Sequence, residues 1–235
     1  MLACVTIRVS DPAESARFYS EVLDREWDDL SVVPPEDDRA VTRHLHIAFA
    51  APSQQAVDDF WQRGVDAGYR SDGEPGLRPQ YRPDYYGGFL LDPDGNSVES
   101  VHRPGRTETG PPIDHLWIGV SDLEASRRFW ERISPVIGLQ VERARFGGMV
   151  VVAGHRRHLM LVADGRPPTE RVHLALAVAD GEALAAFRRV ANGAVALDPD
   201  GNAVEAVTRS HQPPARRTRL RSQHRANPRR EEPYA

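Results

Sequence analysis

The chain contains one five-residue turn motif, DPDGN, twice, and each copy runs into a strand that carries a glutamate. LDPDGNSVESV begins at Leu91, and LDPDGNAVEAV begins at Leu197. Two more segments recur: RVSDPAESARFYSEVL (from Arg8) matches GVSDLEASRRFWERI (from Gly119), and HIAFAAPSQQAVDDF (from His46) matches HLALAVADGEALAAF (from His173). Self-similarity over such distances predicts a repeated supersecondary unit. We therefore expect residues 1–207 to be a duplicated unit of about 100 residues per copy.

Each copy divides into two half-repeats, and each half-repeat begins with a strand and a helix. The opening strands are predicted at 3–9, 44–50, 114–120 and 171–178, with helices beginning near residues 11, 53, 122 and 180. Further strands complete the half-repeats, so the fold class is α+β. The predicted divisions are a first domain at 1–103, a linker rich in Pro, Gly and Thr at 104–112, a second domain at 113–208, and a basic tail at 209–235.

Composition excludes several classes of partner. No apolar run approaches the ~18 residues that a membrane span needs. The formal net charge is −4, and because residues 208–235 hold eight Arg and two Glu, the remainder is acidic, which argues against nucleic acid. Cys4 is the only cysteine and the N-terminus lacks the pattern of a secretory signal, so a cytoplasmic location is expected. A small molecule is the expected partner.

Histidine recurs at one position of the predicted opening strands. His46, His115 and His173 each lie on the face opposite to the strand's apolar residues, and Cys4 holds the same position in the first strand. The DPDGN turn fixes the start of the strand that carries Glu99, and its second copy does the same for Glu205. Two imidazoles and one carboxylate on a concave face form a facial triad that suits Fe(II), Mn(II), Ni(II), Co(II) or Zn(II).

The segments HIAFAAPS and YYGGFLLDPDGNSVE resemble the vicinal oxygen chelate superfamily, which comprises glyoxalases, bleomycin-resistance proteins and extradiol dioxygenases. The resemblance covers about residues 1–207. It implies tandem βαβββ modules that form two glyoxalase-like domains with open, cup-shaped mixed sheets and helices outside. It also implies ligands at the first and last strands of the modules, which map onto Cys4, His46, His115, His173, Glu99 and Glu205. The implied function is a metal-dependent lyase, isomerase or dioxygenase; the alternative is a metal-free drug-binding protein.

The half-repeats are unequal in length, which bears on how they pair. The first is shorter than the third and lacks its histidine, and the fourth is shorter than the second. Members of the family exchange modules within dimers, so a fused version would pair the second half-repeat with the third. That pairing places one intact site, His46, Glu99 and His115, between the domains. Pairing within the second domain would instead offer His115, His173 and Glu205. The chain would be a monomer resembling a fused dimer, or a homodimer.

The loop before the Glu99 strand contributes further candidates. Tyr85 and Tyr86 could position or protonate a substrate, and with Glu99 they form the predicted catalytic set. Arg78 and Tyr81 from this loop, with Trp117 beside His115, are the expected pocket residues. Where the resemblance implies a tyrosine in extradiol dioxygenases this chain has Phe89, which disfavours catechol cleavage. The motifs name no substrate.

Overall fold

Within the described residues, each half-repeat folds as a strand, a helix and one to three further strands. The structure, a computed structural model, describes residues 2–23, 29–36, 41–104, 113–143, 149–154 and 157–208. Its helices are α1 (Pro12–Leu23), α2 (Gln54–Asp66), α3 (Leu123–Ile133) and α4 (Gly181–Ala191). Its strands are β1 (Leu2–Arg8), β2 (Leu30–Val33), β3 (Leu45–Ala50), β4 (Ser71–Leu77), β5 (Tyr86–Leu91), β6 (Ser97–His102), β7 (Ile113–Gly119), β8 (Gln140–Arg143), β9 (Met149–Gly154), β10 (Arg157–Val162), β11 (His173–Val178), β12 (Val195–Leu197) and β13 (Ala203–Thr208).

The strands form two open mixed sheets, and each sheet takes strands from both sequence copies. The larger has the order β4-β5-β6-β3-β7-β10-β9-β8, so it joins the second half-repeat to the third. The smaller has the order β12-β13-β11-β1-β2, and it joins the fourth half-repeat to the first. The two halves of each sheet meet in an antiparallel pair, β3 with β7 and β1 with β11. The predicted α+β class and mixed cup-shaped sheets are confirmed.

The helices begin where the sequence places small polar capping residues. The side chains of Ser53, Asp122 and Asp180 each accept a hydrogen bond from the backbone N–H three residues further on. Such caps satisfy amides that have no partner within the helix. Along the helices, large apolar side chains are buried in a core shared with the sheets, among them Phe18, Phe60, Trp130 and Phe187. Among the described residues, no helix is long and apolar enough to cross a membrane.

The DPDGN turn also ties one strand to another. Asp92 accepts hydrogen bonds from the backbone N–H groups of Asp94 and Asn96, and Gly95 takes the positive φ of 85° that closes the turn. Asn96 is 1% exposed; its amide oxygen accepts from the Leu45 N–H and its amide nitrogen donates to the Thr42 carbonyl. Asn96 thereby fixes the start of β3. In the second copy, Asn202 bonds the Val172 N–H and the Thr169 carbonyl in the same way.

Replacing Asn96 by alanine is therefore expected to destabilise the protein by about 2–3 kcal/mol, because two buried backbone groups lose their partner. Urea unfolding monitored by circular dichroism measures the change. Gln62→Ala is the control, since Gln62 is exposed and bonds Asp66 one turn along α2, so it should cost less than about 0.5 kcal/mol. Equal midpoints for wild type and Asn96→Ala would refute this role.

Two sequence predictions fall where the structure is not described. Apart from Pro104, the predicted linker at 104–112 lies outside the described residues, and so does the predicted basic tail at 209–235.

Candidate metal centre

Three strands at the middle of the larger sheet carry the candidate ligands. His46 lies on β3, Glu99 on β6 and His115 on β7, and β3 is hydrogen-bonded to both of the others. Ala48 pairs with His115 on one side and with Glu99 on the other. Register partners project from the same face of a sheet, so the small, buried Ala48 leaves room between these two side chains. His46 lies one row along, paired with Trp117.

Two of the three separations between the candidate ligand atoms match the spacing at a metal ion. Glu99 Oε2 is 3.1 Å from His46 Nε2 and 3.4 Å from His115 Nε2. One atom from each of the three residues lies within 4.8 Å of the others. Ligands about 2.1 Å from a metal in adjacent octahedral or tetrahedral positions are roughly 3.0–3.4 Å apart. The two measured separations fall in this range.

Each histidine uses its other ring nitrogen to bond a polar neighbour. His46 Nδ1 lies 3.1 Å from Ser97 Oγ, whose hydroxyl donates to Asp72 Oδ2 at 2.7 Å. His115 Nδ1 lies 2.8 Å from Oδ2 of Asp114, which is fully buried. Because the Ser97 proton goes to Asp72 and a carboxylate only accepts, Nδ1 carries the hydrogen in both rings. A neutral imidazole in this tautomer keeps its Nε2 lone pair free for a metal ion, whereas a protonated Nε2 would instead donate a hydrogen bond to the Glu99 carboxylate.

Glu99 is held as a buried anion. It is 1% exposed, and its Oε1 accepts a hydrogen bond of 2.8 Å from the Tyr85 hydroxyl. Burial alone would raise the pKa of Glu99; the hydrogen bond from His46, the charges of His115 and His46, and the Tyr85 hydrogen bond together lower that pKa below its usual value. Gly87, on the neighbouring strand, makes room for the carboxylate, since a Cβ there would lie 2.5 Å from Oε1.

Aromatic side chains line the cavity that opens above this centre. The cavity measures about 540 Å³, and Trp117, Tyr81 and Phe89 form much of its apolar wall. The Tyr81 ring meets Trp117 edge-on with centroids 5.6 Å apart and lies 5.3 Å from the Tyr85 ring. Trp117 and Phe89 lie 5.4 and 6.1 Å from the His46 ring. Tyr81 thus links the loop of the second half-repeat to a strand of the third.

The structure brings most of the predicted catalytic and pocket residues to this cavity. Arg78, Tyr81, Tyr85 and Trp117 line it, as do two of the three candidate ligands, His46 and Glu99. The third, His115, lies within contact of Glu99, and its ring is 5.5 Å from that of His46.

Tyr86 is not brought to the cavity. Its hydroxyl donates to Asp58 of α2, 2.8 Å away. Consecutive residues of a strand project from opposite faces of a sheet. Tyr86 therefore lies on the face that α2 covers, whereas Tyr85 lies on the face that carries the candidate ligands. Its predicted catalytic role therefore finds no support in its position.

The smaller sheet repeats the arrangement with different residues. Cys4 pairs with Ala175, and Ala175 pairs with Glu205, so these residues match the positions of His115, Ala48 and Glu99. His173 Nε2 lies 3.3 Å from Glu205 Oε1. The alternative ligand set of His115, His173 and Glu205 is therefore divided between two sheets, and the structure does not bring it together.

Sequence reasoning did not find the residues that orient the ligands. Asp114 was missed because strand alternation assigns it to the apolar face with Leu116. There it is fully buried, and it forms an ion pair with Arg103 as well as the bond to His115. A charged residue on a buried face requires a partner, and this signal could have singled it out. Ser97 and Asp72 carried no comparable signal.

Comparison with solved structures identifies the fold. Glyoxalase I from Zea mays superposes with a TM-score of 0.62 at 17% sequence identity, covering 88% of this chain and 92% of that one. A protein from Bacillus subtilis, assigned provisionally as a dioxygenase, gives a TM-score of 0.62 at 14% identity, covering 91% of this chain and 86% of that one. No family model and no curated protein matches the sequence.

The chain therefore has the tandem fold of these two proteins, which is the fold that the resemblance to the vicinal oxygen chelate superfamily implied. At this level of identity the likeness concerns the fold, and function has to be argued from the site.

Proposed function

We propose that the protein is a divalent-metal-dependent enzyme that binds one metal ion through His46, Glu99 and His115 and acts on a small oxygen-chelating molecule. One observation carries the proposal: the Nε2 atoms of two histidines converge on a buried carboxylate, while the opposite nitrogen of each ring is occupied by a hydrogen bond. A metal ion would satisfy the buried Glu99 carboxylate and at the same time bind both Nε2 atoms of the neutral histidines. Two histidines and one carboxylate suit Fe(II), Mn(II), Ni(II), Co(II) and Zn(II).

A divalent metal held by three ligands would supply Lewis acidity to a substrate that offers two neighbouring oxygens. The chain's own residues would hold and orient that substrate. Trp117, Tyr81 and Phe89 give one side of the cavity an apolar wall. Asp114 and Ser97 fix the tautomers of the two histidines, which keeps each Nε2 directed at the centre.

The two tyrosines near the centre would keep their protons at neutral pH. Burial raises the pKa of Tyr85, and the neighbouring Glu99 raises it further, so this phenol remains a donor to Glu99. Burial and Glu99 also raise the pKa of Tyr81. Tyr81 lines the cavity, so its hydroxyl would donate a hydrogen bond to a bound substrate or give up a proton as a general acid.

The class of reaction follows from these groups. The glyoxalase I and dioxygenase folds both use this architecture. Phe89 stands where the resemblance implies the tyrosine of extradiol dioxygenases, so we favour lyase or isomerase chemistry over cleavage of a catechol ring.

Metal analysis of the purified full-length chain tests the proposal. Protein prepared without chelator, or reloaded with Fe(II), Mn(II), Co(II), Ni(II) or Zn(II), should retain about one ion per chain after desalting. A value below about 0.3 ions per chain that none of these metals restores would overturn the proposal in favour of a metal-free binding protein.

A further inference from the structure

The Arg78 guanidinium lies next to the Phe89 ring, which in turn lies next to the His46 ring of the candidate metal centre. Arg78 is half-buried, follows directly after β4 and lines the cavity. Its Cζ lies 5.4 Å from the centroid of the Phe89 ring, and that centroid lies 6.1 Å from the centroid of the His46 ring. The guanidinium is therefore no further from the His46 ring than the sum of these distances. A metal-bound ligand with a second polar group at its far end would bring that group toward Arg78.

Backbone groups hold Arg78 in place without neutralising its charge. Nη2 donates to the Glu74 carbonyl at 2.6 Å, and Nη1 donates to the Leu77 carbonyl at 3.4 Å. Gly76 allows this position, since a Cβ there would lie 3.1 Å from Nη1. A guanidinium has five N–H donors, so three have no partner among the described residues. Arg78 is thus a fixed cation with donors to spare, facing a cavity.

Two other arginines near the cavity, Arg166 and Arg82, differ from Arg78 because each is paired with a carboxylate. Arg166 also lines the cavity, but its Nη2 lies 2.6 Å from Asp164 and its side chain is 75% exposed. Arg82, in the same loop as Arg78, forms two hydrogen bonds of 3.0 Å with Asp84 and does not line the cavity. Both guanidiniums already have a carboxylate partner. Arg78 has none among the described residues.

The charge of the cavity supports an anionic ligand. Two arginines and three carboxylates, Asp72, Glu99 and Asp164, line it. With neutral histidines and a divalent cation at the centre, the sum is one positive charge. This positive charge favours an anionic ligand, and a carboxylate paired with a guanidinium makes two parallel hydrogen bonds.

We propose that the ligand of this site is a flat, oxygen-chelating molecule that also carries a carboxylate, and that Arg78 binds this carboxylate. The proposal rests on the proposed metal-dependent function and adds the chemical class of the ligand. Flatness follows from the walls, because Trp117, Phe89 and Tyr81 present rings to the cavity. Arg78 thereby selects between chelators that differ only at the end remote from the metal.

Two hydroxypyranones test this inference. Kojic acid and comenic acid present the same hydroxy-ketone pair to a metal, but comenate has a carboxylate where kojic acid has a hydroxymethyl group. Titration calorimetry of the Zn(II)-loaded protein should give comenate a preference of about tenfold or more, beyond its preference for free Zn(II). Arg78→Met should remove this excess, Arg78→Lys should keep part of it, and Arg82→Met should keep all of it.

The outcomes separate this inference from the proposed function. If wild type takes up zinc but prefers neither probe, or if Arg78→Met keeps the preference, the inference on Arg78 is wrong and the metal site stands. If the protein takes up no metal at all, the proposed function fails first. Equal zinc content in the four proteins ensures that a lost preference reflects the guanidinium and not the centre.

Discussion

Glu99→Gln should weaken Co(II) binding at least about 100-fold, whereas Glu205→Gln should leave it unchanged. The two glutamates hold the same place in the two copies of the DPDGN motif. Glu99 is 1% exposed and lies in contact with two histidines. Glu205 is in contact with His173, and the position that matches His115 is held by Cys4. Competition with a chromophoric chelator measures both affinities.

The size of the effect follows from the charge that is lost. Glutamine keeps the shape of the side chain but gives a divalent ion a neutral oxygen in place of a carboxylate. It also presents an N–H₂ group that cannot bind a metal. Loss of a residue that only orients a ligand already costs 10- to 100-fold in metal affinity, so loss of the ligand's charge should cost more.

Gly87→Ala tests whether displacing the Glu99 carboxylate lowers metal affinity in a protein that still folds. Its Cβ would fall 2.5 Å from Glu99 Oε1, and the carboxylate, at the end of a flexible side chain, would have to move. The variant should keep a near-native unfolding transition and lose metal affinity. Gly68→Ala does not serve as its control because Gly68 has a φ of +87°; Gln62→Ala, on the exposed side of α2, does. If Glu99→Gln and Glu205→Gln bind Co(II) equally well, Glu99 is not a ligand.

The sequence was sufficient to predict the main fold because alternation along the strands and the repeat of the strand–helix units can both be recognised without knowledge of the structure. Alternation along each strand decided which side chains share a face, so His46 and His115 could be assigned to the concave side. The unequal lengths of the half-repeats favoured joining the second to the third, and the larger sheet joins them. Three candidate ligands separated by up to 69 positions could be grouped because the repeat supplied their relative register.

The rest of the site depends on long-range contacts that no local pattern encodes. Tyr85 and Tyr86 are neighbours, and only the side of β5 that each one takes separates a donor to Glu99 from a donor to Asp58. The start of β5 was not predicted closely enough to assign those sides. Asp72 meets Ser97 across 25 positions, and Arg103 meets Asp114 across a segment outside the described residues. Such pairs become visible only when the sheet is assembled.

Asp114 offers the second test, because it links the centre to the stability of the fold. It is fully buried, accepts the His115 Nδ1 hydrogen at 2.8 Å and pairs with Arg103, which is 21% exposed. Asp114→Asn keeps the volume and removes the charge. Breaking a buried ion pair costs about 3–5 kcal/mol, and the partial exposure of Arg103 should reduce this to about 2–3 kcal/mol.

The metal affinity of Asp114→Asn should also fall, by about 10- to 100-fold, because a neutral amide no longer fixes the His115 tautomer. If asparagine turns its N–H₂ group toward Nδ1, the ring hydrogen moves to Nε2 and occupies the lone pair that the metal needs.

Arg103→Met separates the effect on stability from the effect on metal affinity. It breaks the same ion pair but keeps the Asp114–His115 bond, so it should lower stability more than metal affinity. Asp84→Asn, which breaks the exposed pair with Arg82, should change neither by more than about 0.5 kcal/mol. Urea unfolding of the metal-free protein and Co(II) competition measure the two quantities, and full metal affinity in Asp114→Asn would show that His115 needs no partner to be oriented.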